Sequence, residues 1–156
     1  MKTSVQIAIF LLIVLAVTGV LGYSSYIKWK KNNPDGTLKT FFNGKDMTSK
    51  SILVGMASGL IFGFIDNFGL FMGMSVLDPL LKKLPFAKDP NVFAGYGNTF
   101  SDLIGAFLGT FGGLLIAESY KTYEYPIWAE ALGIFIGCLV GILVGKSVSM
   151  KHKLSK

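Results

Sequence analysis

Hydrophobic positions along this chain fall into four long blocks, at residues 5–26, 51–77, 99–117 and 127–145. Within each block the apolar residues occupy every side of a helix, which leaves no wet face, so such helices belong inside a core or a bilayer. A hydrocarbon core ~30 Å thick takes about 20 helical residues. The blocks match that length, and what remains is too short to build a separate soluble core. The pattern predicts an all-α fold: a polytopic transmembrane bundle of about four helices.

The polar connections fit this reading. After the first helix comes YIKWKKNNPDGTLKTFFNGKDMTSKS, where Tyr26 and Trp29 suit the membrane interface and Lys28, Lys30 and Lys31 the headgroups. This lysine-rich loop, 28–50, is too small to be a domain. Asn33-Pro34-Asp35-Gly36 is a turn, and Asn43-Gly44 is expected to close a small hairpin. The second connection, 78–98, opens with Asp78 as a cap and Pro79 at a first helical position, predicting a short interfacial helix over 79–84. The third connection, ESYKTYEYP, is tight, and the basic tail 147–156 is expected to fray. The 17 apolar residues at 5–21 exceed a usual secretory-signal core. Residues 1–27 are therefore expected to form a retained signal-anchor helix.

Composition sharpens the class. The 156 residues are 51% hydrophobic with a mean hydropathy of +0.54, and the net charge is +6. All 15 basic residues are lysine, a point charge without arginine's bidentate fork. That suits anionic lipid or an acidic protein better than nucleic-acid readout, and no nucleic-acid partner is expected. The lysines divide almost evenly between the two sides of a four-span topology, so the positive-inside rule leaves orientation open; the first helix alone favours its C-terminal end facing the cytosol. Cys138 is the only cysteine and His152 the only histidine, which excludes a Cys/His zinc site within one chain. No metal and no cofactor is expected.

One octet occurs three times, as acid-x-x-Gly-x-Phe-x-Gly. It begins at Asp66 (with Gly69 and Gly73), at Asp102 (Gly105, Gly109) and at Glu130 (Gly133, Gly137). Residues three, four and seven apart share a helix face, so each acid lies above a glycine stripe. The stripes extend through Gly55, Gly59 and Gly63 before Asp66, through Gly112 and Gly113, and through Gly141 and Gly145. Thirteen of the 19 glycines fall in these three segments, although each costs about 1 kcal/mol against alanine in a helix interior. In lipid, small-xxx-small faces let backbones approach and gain dispersion contacts. The reading is a glycine zipper: close glycine-xxx-glycine packing of the second, third and fourth long helices, within one chain or between copies.

The acids differ in setting. Thr99 and Asp102 fit a capping-box start, which puts Asp102 in a first helical turn. Glu130 follows Tyr125-Pro126 and also sits near a helix start, where the dipole favours negative charge. Asp66 and Asn67 instead fall about 16–22 Å from either end of their block at helical rise. A charge there costs about 2.5–3.5 kcal/mol on insertion scales. Hydrogen bonds to Asn67, Ser58 or Thr110, protonation, or a helix break at Ile65-Asp66-Asn67 would each relieve that cost. Asp66, Asn67, Asp102 and Glu130 form the candidate intramembrane polar site. Structural and functional readings of Asp66 both stay open.

HExxH, GxSxG, the phosphate-binding GxxxxGK[ST] and the GxGD of intramembrane aspartyl proteases are all missing. NTFSD resembles the Thr-Phe-Ser stretch of small four-helix fluoride channels, but those carry an arginine and this chain has none. GLIFGFIDNFGLFMGMSVLDP followed by GYGNTFSDLIGAFLGTFGG resembles a family of small membrane proteins encoded by large double-stranded DNA viruses, the giant and algal viruses. The similarity covers roughly residues 55–117. It implies a multi-pass structural component of a virion's inner membrane, associated with the capsid, and brings no catalytic residues.

The sequence therefore leads to a non-enzymatic membrane protein whose partners are the bilayer and other membrane or capsid proteins, including further copies of itself. The alternative is an ion channel or proton-coupled transporter using Asp66 and Asn67, with Asp102 and Glu130 guarding the ends. An intramembrane enzyme using Asp66 and Asp102 ranks last, because their depths are expected to differ by about 10 Å.

Overall fold

The structure is a computed structural model describing residues 3–76, 89–121 and 124–154, with the backbone alone for 3, 4, 71–76, 90, 91, 93 and 149–154. The described residues are mostly helical, with short turns between the helices and no strand among them. The helices are α1 (Thr3–Asn32), α2 (Leu38–Asn43), α3 (Ser49–Val76), α4 (Pro90–Tyr120) and α5 (Ala129–Leu154). Four are long and apolar enough to cross a membrane, over Val5–Asn32, Ser49–Leu70, Ala94–Tyr120 and Ala129–Val148. The chain is an integral membrane protein built as an all-α bundle, and it divides into two units, Met1–Lys45 and Asp46–Lys156.

In the first unit α1 continues past residue 27 to Asn32, because Tyr26 and Trp29 find packing partners in α2. Phe41 meets Tyr26 edge-on and Trp29 at a tilt, each at 5.4 Å between ring centres. Lys30 Nζ donates to the carbonyl oxygens of Pro34 (2.7 Å) and Gly36 (2.6 Å), tying the turn to the helix end. The hairpin expected at Asn43-Gly44 is not formed: α2 occupies that stretch. Thr37 caps it reciprocally with Thr40, through Thr37 N–H to Thr40 Oγ1 (2.8 Å) and Thr40 N–H to Thr37 Oγ1 (3.2 Å). Gly44 ends α2 at φ 74°, ψ 175°, a conformation that is glycine's own. Within this unit nothing packs on the apolar length of α1; Phe10 is 65% and Leu15 68% exposed. In water such a surface would be untenable, whereas in a bilayer lipid covers it.

In the second unit α3 lies between α4 and α5 and takes all the extensive helix–helix contact. It starts with a second reciprocal cap, Thr48 N–H to Ser51 Oγ (2.9 Å) and Ser51 N–H to Thr48 Oγ1 (3.1 Å). Two further boundaries depart from the sequence reading. The third long helix begins at Pro90 rather than 99, with proline where a missing N–H costs nothing. The tail expected to fray is helical to Leu154. The interfacial helix expected at 79–84, with its Asp78 cap, lies outside the described residues.

The register follows from the glycines. A methyl group added at Gly55, Gly59 or Gly63 would collide with Ala129 and Tyr125, with Glu130 and Ile134, and with Ile134 and Cys138 respectively. From the other side, Gly133, Gly137 and Gly141 press on the backbone of Met56, of Leu60 and Phe64, and of Phe64 and Phe68. Residue numbers rise together, so α3 and α5 run parallel with backbone against backbone. Gly145 continues the buried row on α5. Towards α4 the numbers run in opposite senses: Gly105 meets Phe62, Gly109 meets Ser58 and Phe62, and Gly113 meets Ser58. Gly69 faces Ser101 of α4 rather than α5. The surroundings of Gly73 lie outside the described residues.

Candidate functional site

The polar site is built where α3 passes between its two neighbours. Steps of four residues from Gly55 to Gly63 hold the glycines towards α5. The step of three to Asp66 turns that side chain back to the seam with α4. There Ser101 Oγ donates to Asp66 Oδ1 at 2.7 Å. Asn67 Nδ2 reaches the other oxygen, Asp66 Oδ2, at 3.4 Å and the Gly63 carbonyl at 3.5 Å. Asp102, next to Ser101 on α4, lies beside them, near enough for the two carboxyl groups to feel each other's charge. Asn98 Nδ2 donates to Asp102 Oδ2 at 2.8 Å, and Ser101 Oγ also has the Asn98 carbonyl within 3.1 Å. On the α5 side Asn67 lies against Gly141, and Cys138 against Gly63 one turn before it.

These contacts correct three expectations. α3 is continuous through Ile65-Asp66-Asn67, so the segment does not break there. Asp102 is not in a first turn: α4 begins twelve residues earlier, and Thr99 Oγ1 donates back to the Gly95 carbonyl (2.9 Å) instead of capping. Asp66 and Asp102 are not separated in depth, because antiparallel packing brings the two helix interiors to one level. Glu130 alone sits as expected, in the first turn of α5. It lies at the level of Gly59, far from Asp66, so Asp102 and Glu130 do not guard the two ends of one path.

Ser101, Asn98 and Cys138 were not among the residues that the sequence singled out. Asn98, Ser101 and Asp102 stand at i, i+3 and i+4, a polar stripe that helical spacing could have revealed. Among the described residues no group of three His, Cys, Asp or Glu is placed to hold a metal ion. Among the described residues no buried side-chain nitrogen or oxygen is left without a partner. Chemically, the cluster satisfies polar groups that lipid would punish.

A second polar level lies about 12 Å along α3, at Ser58. There a cleft of about 320 Å³ opens between α4 and α5, lined by Val54, Ser58, Thr110, Gly113, Leu114, Ala117, Tyr125 and Glu130. Ser58 and Thr110, expected as partners for Asp66, line this cleft instead. No protein-family model matches the chain, and no curated protein or solved structure matches it.

Proposed function

We propose that this chain is a non-enzymatic structural component of a membrane, placed in the inner membrane of a virion. It meets capsid or other membrane proteins through the stretches 28–50 and 79–97. The observation that carries the structural part is the reciprocal glycine contact of α3 with α5. Three turns of backbone lie against backbone there, an arrangement suited to a stiff membrane element. The placement in a virion rests on the resemblance of residues 55–117 to the viral membrane-protein family. Lysines at 28, 31, 39 and 45 supply positive charge where an acidic partner would dock. Lysine-directed cross-linking of intact particles tests this. Links from Lys28, Lys31, Lys39 or Lys45 to a capsid protein are expected. A chain confined to host membranes and missing from particles would contradict it.

One observation favours the transport reading instead: Asp66 and Asp102 lie near each other, half-buried, at the seam of α3 and α4. Purified protein in liposomes separates the two. Background-level proton and cation flux, equal in wild type and Asp66→Asn, removes transport. Flux that Asp66→Asn abolishes makes it the better account.

A further inference from the structure

Hydroxyl groups inside apolar helices ordinarily bond the carbonyl one turn back, and several in the second unit do. Thr99 bonds Gly95, Ser119 bonds Leu115 and Ser147 bonds Leu143, at 2.9, 2.7 and 2.8 Å. Ser58 and Thr110 do not. Neither has a hydrogen-bond partner among the described residues, and both line the cleft between α4 and α5 together with Glu130, which has no ion-pair partner there either. An unpartnered hydroxyl in lipid is costly, and Glu130, exposed in the first turn of α5, brings a carboxylate to the same cleft, so the cleft is shaped for a polar guest.

The lining defines that guest. Its charge is a single carboxylate, and no lysine lines the cleft to neutralise it. The nearby Lys50 lies over the Tyr120 ring. A divalent cation seeks six or more oxygen ligands, far more than these three side chains supply. An ammonium group carries one positive charge and three N–H donors, and Glu130, Ser58 and Thr110 offer three acceptors to meet them. Tyr125 adds an aromatic ring where a cation is favoured. The remaining wall is Val54, Leu114 and Ala117, which suits hydrocarbon.

We infer that this cleft binds a primary ammonium group carried on an apolar tail. The guest's chemistry fits two sources, the headgroup of an ethanolamine phospholipid and a free long-chain amine. The inference is independent of the structural role proposed above.

The full chain in nanodiscs mixing phosphatidylethanolamine and phosphatidylcholine, read by lipid retention in native mass spectrometry, tests it. A choline headgroup has no N–H to donate. Retention of the ethanolamine lipid over the choline lipid by about tenfold is expected, the scale of a hydrogen bond to a charged group. Glu130→Gln should bring the preference close to unity. Leu114→Trp, which fills the cleft and leaves Glu130 intact, should do the same. Decylamine in detergent forms the second arm: binding of decylamine without an ethanolamine preference assigns the free amine as guest. Absence of both, or a preference unchanged in Glu130→Gln, overturns the inference. A cross-link from α1 to a Thr110→Cys variant that binds no amine also overturns it, since the cleft would then house the chain's own helix.

Discussion

Adding one methyl group at Gly137 gives the sharpest test of the packing. A Cβ there would overlap the Leu60 carbonyl oxygen, and would lie 2.9 Å from Phe64 N and 3.0 Å from Leu60 C. Carbon atoms rest at about 3.5–4.0 Å, so the helices must part by roughly 0.5–1 Å, which forfeits a quarter to a half of each facing contact. Backbone atoms cannot swing aside as a side chain would. Overpacking of this kind costs about 1–3 kcal/mol. Alanine's better helix propensity returns about 1 kcal/mol of that in a soluble host. Gly137→Ala should therefore be destabilising, and Gly137→Leu far more so. Gly19 in α1 is the internal control, with nothing within 4 Å of a Cβ; Gly19→Ala should be neutral or stabilising by up to ~1 kcal/mol. Unfolding of the purified protein in mixed micelles, followed by circular dichroism, reads both. If the two alanine variants shift stability in the same favourable direction, the argument from backbone contact fails.

Other outcomes follow from the same contacts. Asp66→Asn keeps an acceptor for Ser101 and should assemble normally, whereas Asp66→Leu leaves Ser101 and Asn67 only the Asn98 and Gly63 carbonyls within their own helices and, by removing the bond between α3 and α4, should cost about 1–3 kcal/mol in the same assay. Gly44→Ala forces a side chain into a glycine-only conformation, costing on the order of 1–3 kcal/mol; faster amide exchange at Phe41–Gly44 would register the loss of α2. Thr48→Ala removes the cap of α3 and should cost about 1 kcal/mol, seen as faster exchange confined to the first turn of that helix.

What the sequence made legible was set by how local each signal is. Four spans could be read because a run of apolar residues declares its solvent without reference to anything else. The glycine rows on α3 and α5 could be read because one face of one helix carries them. Helix ends were less legible: Trp29 stays helical because Phe41 packs on it, a contact between two elements. Gly44 looked like a hairpin turn, yet the Thr37–Thr40 cap upstream claimed the same residues for a helix. The partner of Asp66 was the least legible. Ser101 is 35 residues away, and only the antiparallel register of α4 brings it to hydrogen-bonding range. The cleft was hidden for the same reason, since Ser58, Thr110 and Glu130 come from three helices.

The account rests on α3 lying between α4 and α5, with glycines of all three helices at the contacts. Cysteine cross-linking in membranes tests this directly, with Cys138→Ser as the background and Gly69→Cys paired with Ser101→Cys. A Cβ at Gly69 would stand 3.1 Å from Ser101 Cβ, close to the ~3.5–4.5 Å spacing of a disulfide. Rapid oxidation to an intramolecular disulfide is predicted, with no such bond when Gly69→Cys is paired with Leu115→Cys on the outer side of α4. Equal cross-linking of both pairs, or none at Ser101→Cys, would contradict the arrangement.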